Sequence, residues 1–438
     1  MLERLIEKEI YDHFDVHQNK VLIVTGARQV GKSYIIRHVC KKRFKNYIEI
    51  DLHEDKLGNK LFENVTTIND FYLAISSGFG HKLGDSDDTL IFLDEIQEYP
   101  NLLSLFKFLK QDNKYQYVAS GSLLGVTLSK TSQIPIGSIK IMKMEQLNFI
   151  EFLLANGFNH DAINQIRDSF LQEKSLNEGI HNRMLNLFKD YLIIGGMPDA
   201  VKTYLETKNL YAVREIHRDI FDLYMMDASK YDLEHKLKIE RIYKMIPSIM
   251  GNIKKRIVVK NIEDKKGARY NHYVDEFDYL INSGIATEVK AISNPTFPLL
   301  QSTSKNLLKL YLNDVGLLSS ILFRNNIKAI KDDNKSINLG ALYETMVANE
   351  LKSKGYSLYY YDNKKRGEVD FIIDNFDNLT IVPIEIKSGK DYQIHSALNN
   401  MIKSNEISTK KAYVFSNNRE VNIKNNIVYM PIYYISFL

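Results

Sequence analysis

Two groups of residues in this chain have the types and spacing for phosphate chemistry. The first starts at Gly26-Ala27-Arg28-Gln29-Val30-Gly31-Lys32-Ser33, which fits G-x-x-x-x-G-K-[ST] without a mismatch. Glycines in such a loop let backbone N–H groups wrap a phosphate chain, and a helix beginning there adds positive potential. Lys32 is then placed to reach the outer phosphates and the Ser33 hydroxyl to hold Mg²⁺. The predicted phosphate contact runs from Gly26 through Tyr34. Thr89–Glu95 (TLIFLDE) supplies the partner, an apolar run ending in two carboxylates. Asp94 would orient the Mg²⁺, and Glu95 would polarise an attacking water as general base. Ser120 and Ser122 close the run YQYVASGS, where a γ-phosphate sensor is expected; a plain structural turn is the equal alternative.

The second group lies near the C-terminus. Glu344 sits in a helical pattern, Asp370 at the start of one β-like run, and Glu385 and Lys387 at the end of another. Residues two apart on a strand share a face, so Glu385 and Lys387 point together. Acid, then acid-x-lysine on adjoining strands with a helix carboxylate nearby, is the pattern of PD-(D/E)xK nucleases. Glu344, Asp370 and Glu385 would hold Mg²⁺ through oxygen ligands, and Lys387 would stabilise the attacking hydroxide or the transition-state charge. The competing reading is a set of ordinary cross-strand ion pairs.

Both groups depend on the elements that carry them. VLIVTG, YIEIDL, TLIFLDE and YQYVASGS read as buried strands, with helical patterns such as SYIIRHVCKKRF and LLSLFKFLK between them. Such alternation predicts an α/β unit, a parallel sheet with helices on both faces. From Gln146 the pattern turns helical until Gly195-Gly196-Met197-Pro198 breaks it, and helices resume to Met250. VDEFDYLINSG followed by ATEVKAISNPTFPLL reads as a helix and two short β-like runs, as in a winged helix–turn–helix. Before it come Lys254, Lys255, Arg256, Lys260, Lys265, Lys266 and Arg269 against only Glu263 and Asp264. On a winged helix these would contact DNA phosphates; the plain alternative is a solvated charged face. The polar segment 325–338 reads as a linker, and the last hundred residues as one helix and several strands.

Composition narrows the class. The 438 residues are 44% hydrophobic and 26% charged, which excludes collagen-like, coiled-coil and wholly disordered chains. Lys+Arg number 58 and Asp+Glu 54, a net +4 that permits nucleic-acid binding without arguing for it. The single cysteine, Cys40, excludes an internal disulfide and a cysteine-based zinc site, and the histidines show no HExxH spacing. The charged N-terminus lacks a signal-peptide core, and no stretch approaches the ~20 apolar residues of a membrane span. A cytoplasmic protein without membrane contact is expected.

GARQVGKS, LIFLDEIQ, YVASGS, GGMPDAV and KLYLNDVGLL, in this order, resemble the bacterial and archaeal ATPases that join an N-terminal AAA-type module to a DUF4143 C-terminal region. The resemblance runs over nearly the whole chain. It implies an α/β P-loop NTPase parallel sheet of the AAA+/STAND-like type, a helical lid, a winged helix and a C-terminal α/β restriction-endonuclease-like domain. The corresponding expected boundaries are 1–145, 146–205, 206–325 and 326–438. ATP and Mg²⁺ are the implied cofactors. One departure stands out: relatives often carry Gly-Arg after the sensor strand, where this chain has Gly137-Ser138-Ile139-Lys140. Arg214, Arg218 and Arg28 are the candidates to replace that arginine. The expected function is ATP binding and hydrolysis whose nucleotide state controls a DNA-binding or metal-dependent nuclease-like domain. The alternatives are a nucleotide switch or scaffold acting on a protein partner with an inactive tail, and a homo-oligomeric assembly factor that involves no nucleic acid.

Overall fold

The computed structural model describes residues 2–438 except 17–19, 85–87, 123, 127–135, 229–232, 253–254, 264–266, 333–336, 364–366, 390–394 and 404–408. The chain divides into two compact units. One is Glu3–Glu145 together with Asn282–Gly284; the other is Gln146–Ile281 together with Ile285–Leu438.

In the first unit, β1 (Val21–Thr25), β2 (Asn46–Asp51), β3 (Thr89–Asp94), β4 (Gln116–Gly121) and β5 (Ile139–Lys143) form a sheet in the order β2-β3-β4-β1-β5. Every pairing is parallel. The residues VLIVT of β1 are all buried, as expected for an inner strand covered on both faces. Ile23, Ile91, Leu93, Phe62, Phe71 and Phe106 belong to one apolar core between the sheet and helices that include Ile68–Phe79 and Asn101–Asp112. Strand β4 lies between β1 and β3, with Ala119 level with both Ile23 and Leu93. The C-terminal ends of these three strands therefore finish side by side, where open α/β sheets present ligands. Strand β5 is not evident in the sequence, because its two lysines and half-exposed Ile141 make it an edge strand rather than a continuous apolar run.

The second unit begins with helices. Phe149–Ala155 starts at a reciprocal cap between Asn148 and Glu151. Glu178–Ile194 stops at Gly195, whose φ of 69° suits glycine, and Pro198 starts the next helix, Pro198–Thr207. A Cβ on Gly195 would lie 2.1 Å from the Asp314 carboxylate, so the GGMP and NDVG motifs require each other. Further on come β6 (Ala286–Ile292), β7 (Thr303–Leu312), β8 (Tyr359–Asn363), β9 (Gly367–Asn375), β10 (Thr380–Lys387), β11 (Ala412–Ser416), β12 (Asn422–Lys424) and β13 (Ile427–Pro431). They make one mixed sheet in the order β12-β13-β11-β10-β9-β8-β6-β7.

This sheet runs across the expected boundary at 326, because β6 and β7 of the expected winged-helix region 206–325 belong to it together with β8–β13. Strand β6 pairs antiparallel with β7 and parallel with β8, so the β6–β7 hairpin forms one end of this sheet. The second arm of the hairpin is Thr303–Leu312, not the TFPLL run. Alternation of Lys309 with Leu308 and Leu310 had disguised a strand whose lysine is buried. The expected linker 325–338 contains the helix Ile327–Lys331, anchored by buried Ala329 and Ile330; residues 333–336 lie outside the described ones. Among the described residues no helix is long and apolar enough to cross a membrane.

Candidate functional site

The loop after β1 is shaped by its glycines. Gly26 has φ 153°, and a Cβ there would lie 2.1 Å from the Met144 carbonyl oxygen. The Met144 N–H donates to the Thr25 carbonyl at 2.7 Å, which fixes that approach. Gly31 (φ 94°) turns the chain into the helix Lys32–Arg43, and Gln29 also takes a left-handed conformation. Buried Arg4 braces the loop from outside: Nη1 donates to the Val30 carbonyl at 2.9 Å and Nη2 to the Glu145 carbonyl at 2.7 Å.

Inside this frame, Lys32 Nζ donates to the Gly26 and Ala27 carbonyls at 3.0 and 2.8 Å. Burial lowers its ammonium to about 8, against the pull of Glu95 and Asp94. Asp94 accepts from the Ser120 and Ser33 hydroxyls. Burial pushes the Asp94 carboxyl up while those hydroxyls pull it back. Glu95 adopts φ 55° just past the end of β3, and its Oε2 accepts from Gln97 and, at 3.2 Å, from the Ser122 hydroxyl. Burial would raise Glu95, but the Gln97 amide and the charges of Lys32 and Arg28 hold it below the usual carboxylate range. Glu95 is thus an ionised base fixed in one direction.

The sequence had brought Lys32, Ser33, Asp94, Glu95 and Ser120 into one site, and the structure does bring them together. The Ser33 hydroxyl and Asp94 carboxylate form an all-oxygen donor set that fits Mg²⁺. Bound there, Mg²⁺ would neutralise charge on a phosphate chain. Tyr34 is 53% exposed, its ring stacked at 6.4 Å on His38 one turn along the helix. Of the three candidate arginines, Arg28 lies at the site, donating to Ser122 at 3.4 Å and acting on Glu95. Arg214 is buried in the second unit, bonding the Ile193 and Gly316 carbonyls and the Ser319 hydroxyl. Arg218 is exposed beside Glu215. Sequence reading missed Arg4, which no motif marks, and Gln97, whose place two residues past Glu95 was the available signal.

The second unit carries the C-terminal cluster. Strands β9 and β10 are antiparallel up to Ile384 opposite Phe371, so Asp370 and Glu385 occupy the next opposed positions. Asp370 Oδ2 accepts from the Ile386 N–H at 2.8 Å, and Glu385 Oε1 accepts from Lys387 Nζ at 2.8 Å. Glu385 Oε2 is buried without a hydrogen-bond partner. Burial and the neighbouring Glu385 and Glu344 push Asp370 well above its ordinary range, and burial pushes Glu385 up as well. Glu344 behaves in the opposite way. Despite complete burial it is held low by Lys255 and Lys309. Its Oε1 accepts from Lys255 and its Oε2 from the Tyr311 hydroxyl at 3.0 Å.

The three carboxylates of the expected metal set thus stand in different surroundings. Among the described residues no three acidic, histidine or cysteine side chains are grouped to hold one ion. Glu344 is taken up by a lysine and a tyrosine. Asp370 and Glu385 remain, and the unpartnered Glu385 oxygen fits a Mg²⁺ that takes two carboxylates and keeps its waters. In the basic stretch Lys260 and Arg269 are exposed, whereas Lys255 and Arg256 face carboxylates. Lys255 bonds Glu344 and Arg256 lies 3.7 Å from Asp362, while Lys254, Asp264, Lys265 and Lys266 fall outside the described residues.

Comparison with known families matches residues 18–153 to an AAA domain, 185–328 to a domain of unknown function (DUF8612) and 339–435 to a domain of unknown function (DUF4143). An uncharacterized protein of Methanocaldococcus jannaschii is 22% identical over 366 residues, covering 81% of this chain and 72% of that protein. Among solved structures, a Walker-type ATPase of Pyrococcus abyssi is similar at 14% identity and TM-score 0.42, over 73% of this chain and 95% of its own. The Aeropyrum pernix ORC1 protein, solved in complex with DNA, is similar at 12% identity and TM-score 0.32, over 76% of this chain and 93% of its own.

Proposed function

We propose that this chain, an AAA-type P-loop protein with a DUF4143 C-terminal region, binds and hydrolyses Mg·ATP and uses its nucleotide state to control a metal-dependent nuclease-like centre. The observation that carries the first half is the convergence of Lys32, Ser33, Asp94, Glu95 and Ser120 at the C-terminal ends of β1, β4 and β3. Backbone N–H groups of the loop and Lys32 would hold the phosphates. Ser33 and Asp94 would hold Mg²⁺, directly and through water respectively. Glu95, ionised and tethered by Gln97 and Ser122, would take the proton of the attacking water. Arg28 is the cation at hand for charge that develops during transfer.

The second half is supported by Asp370, Glu385 and Lys387. Two buried carboxylates with one unpartnered oxygen suit a divalent cation, and an ammonium fixed beside them suits a developing phosphoryl charge. DNA is the substrate class proposed for this centre.

Steady-state ATP turnover in Mg²⁺, with and without single- and double-stranded DNA, tests the reading. Lys32→Ala and Glu95→Gln should abolish turnover, and chelating the Mg²⁺ should do the same. Plasmid nicking in Mg²⁺ or Mn²⁺ tests the tail, with Asp370→Ala and Lys387→Ala losing cleavage while keeping DNA affinity. Turnover that is insensitive to Glu95→Gln would refute the catalytic assignment. ATP turnover indifferent to DNA, with no nicking, would favour a nucleotide switch that acts on a protein partner.

A further inference from the structure

We infer that the acidic centre of the second unit takes a single divalent cation on Asp370 and Glu385, and that Lys255, Lys309 and Tyr311 act as positioning residues that keep Glu344 out of its coordination. This rests on the metal-dependent reading of the centre proposed above. Both Glu344 oxygens have specific donors, Lys255 on Oε1 and Tyr311 on Oε2. The Lys255 side chain is 12% exposed and that of Lys309 1%, so neither ammonium can turn to water if its carboxylate is withdrawn. A cation that recruited Glu344 would strand Lys255 as a buried uncompensated charge. Lys309 supports the same arrangement by bonding Glu368, and it stands 4.6 Å over the Tyr360 ring. Four carboxylates, Glu344, Glu368, Asp370 and Glu385, thus meet three ammonium groups, Lys255, Lys309 and Lys387. With Glu344 and Glu368 taken up by lysines, two carboxylates are left to ligate, which suits one divalent ion that keeps its waters.

The three positioning residues come from outside 339–435, the segment matched to DUF4143. Lys309 and Tyr311 lie on β7, the far edge strand of the sheet, and Tyr311 packs against Phe371 of β9 at 5.9 Å between ring centroids. The centre is therefore a composite of two sequence regions rather than the property of the last hundred residues.

Mn²⁺ binding to the nucleotide-free full chain, read by electron paramagnetic resonance in an Asp94→Asn background that silences the first unit, tests the inference. One Mn²⁺ is expected, with affinity falling ~10-fold or more in Asp370→Asn and Glu385→Gln, as loss of a ligand requires. The charge-neutral pair Lys255→Met with Glu344→Gln should stay within about threefold of the parent, because no ligand and no net charge is lost. Lys255→Met alone frees Glu344 and should tighten binding, and Lys255→Arg should restore the parent value. Tyr311→Phe, which deletes one of the two donors on Glu344, covers the case in which the paired variant fails to fold, and it should shift affinity in the same direction as Lys255→Met, toward tighter binding. Loss of Mn²⁺ by a folded paired variant, or by Tyr311→Phe, would overturn this inference and leave the metal-dependent reading standing. A parent chain that binds no Mn²⁺ would overturn both.

Discussion

Replacing Arg4 with methionine tests whether the phosphate loop depends on a brace that no motif encodes. The guanidinium holds the Val30 carbonyl at 2.9 Å and the Glu145 carbonyl at 2.7 Å, and the side chain is buried. Methionine keeps much of the apolar packing and removes both donors. A hydrogen bond to a charged group contributes ~1.5–3 kcal/mol. If the Val30 bond alone sets the balance between the wrapped loop and its open alternatives, its loss corresponds to about 10–150-fold in the wrapped population. Water reaching the freed carbonyl offsets part of this, so the expected rise in nucleotide Kd is at the lower end, about tenfold. Arg4 touches no reacting atom, so kcat at saturating ATP should change by less than about threefold. Arg4→Lys keeps one donor and should fall between. Equilibrium binding of a fluorescent ATP analogue, paired with steady-state turnover, separates these terms. An unchanged Kd, or a lowered kcat at unchanged Kd, would refute the brace.

Two further outcomes follow from the charged groups. Gln97→Ala removes the amide that helps hold Glu95 below the usual carboxylate range, so the acid limb of the kcat–pH profile should move to higher pH. An unmoved limb would show that Gln97 does not tune the base. Asp314, fully buried, accepts from the Gly196 N–H at 2.6 Å and the Leu317 N–H at 3.0 Å, and burial raises its carboxyl from 3.8 to about 6. The folded chain therefore holds a proton that the unfolded chain releases, so stability from this group is present below about 4 and is lost as pH rises through about 6. The loss amounts to ~3 kcal/mol at one decade per pKa unit. Urea denaturation of wild type and Asp314→Asn between pH 4 and 7.5 checks this, since only wild type should show that slope and parallel curves would contradict it.

How much was legible in the sequence differs between the two sites. Around β1 and β3 nearly everything local was readable, because a parallel inner strand is a continuous apolar run and a phosphate loop needs its glycines at fixed spacing. Gly26, Lys32, Ser33, Asp94 and Glu95 needed no partner from a distant segment to be recognised. The meeting of GGMP with NDVG was not readable. Each motif is a short turn by itself, and only the fold brings the Asp314 carboxylate to the Gly196 N–H.

At the C-terminal centre the sequence alone named Glu344, Asp370, Glu385 and Lys387, since their spacing on a helix and two strands is a local property. What it did not carry was the donor set that takes up Glu344 and the continuity of β6 and β7 with the C-terminal sheet. Both have one physical source. Register and strand order are set by pairing between segments far apart in the chain, and a lysine on an edge strand looks like solvent-facing charge until its partners are known. The tertiary structure carried β7 onto the C-terminal sheet and turned Lys255 toward Glu344. Charge compensation in a buried site depends on distance in space, which no local pattern records.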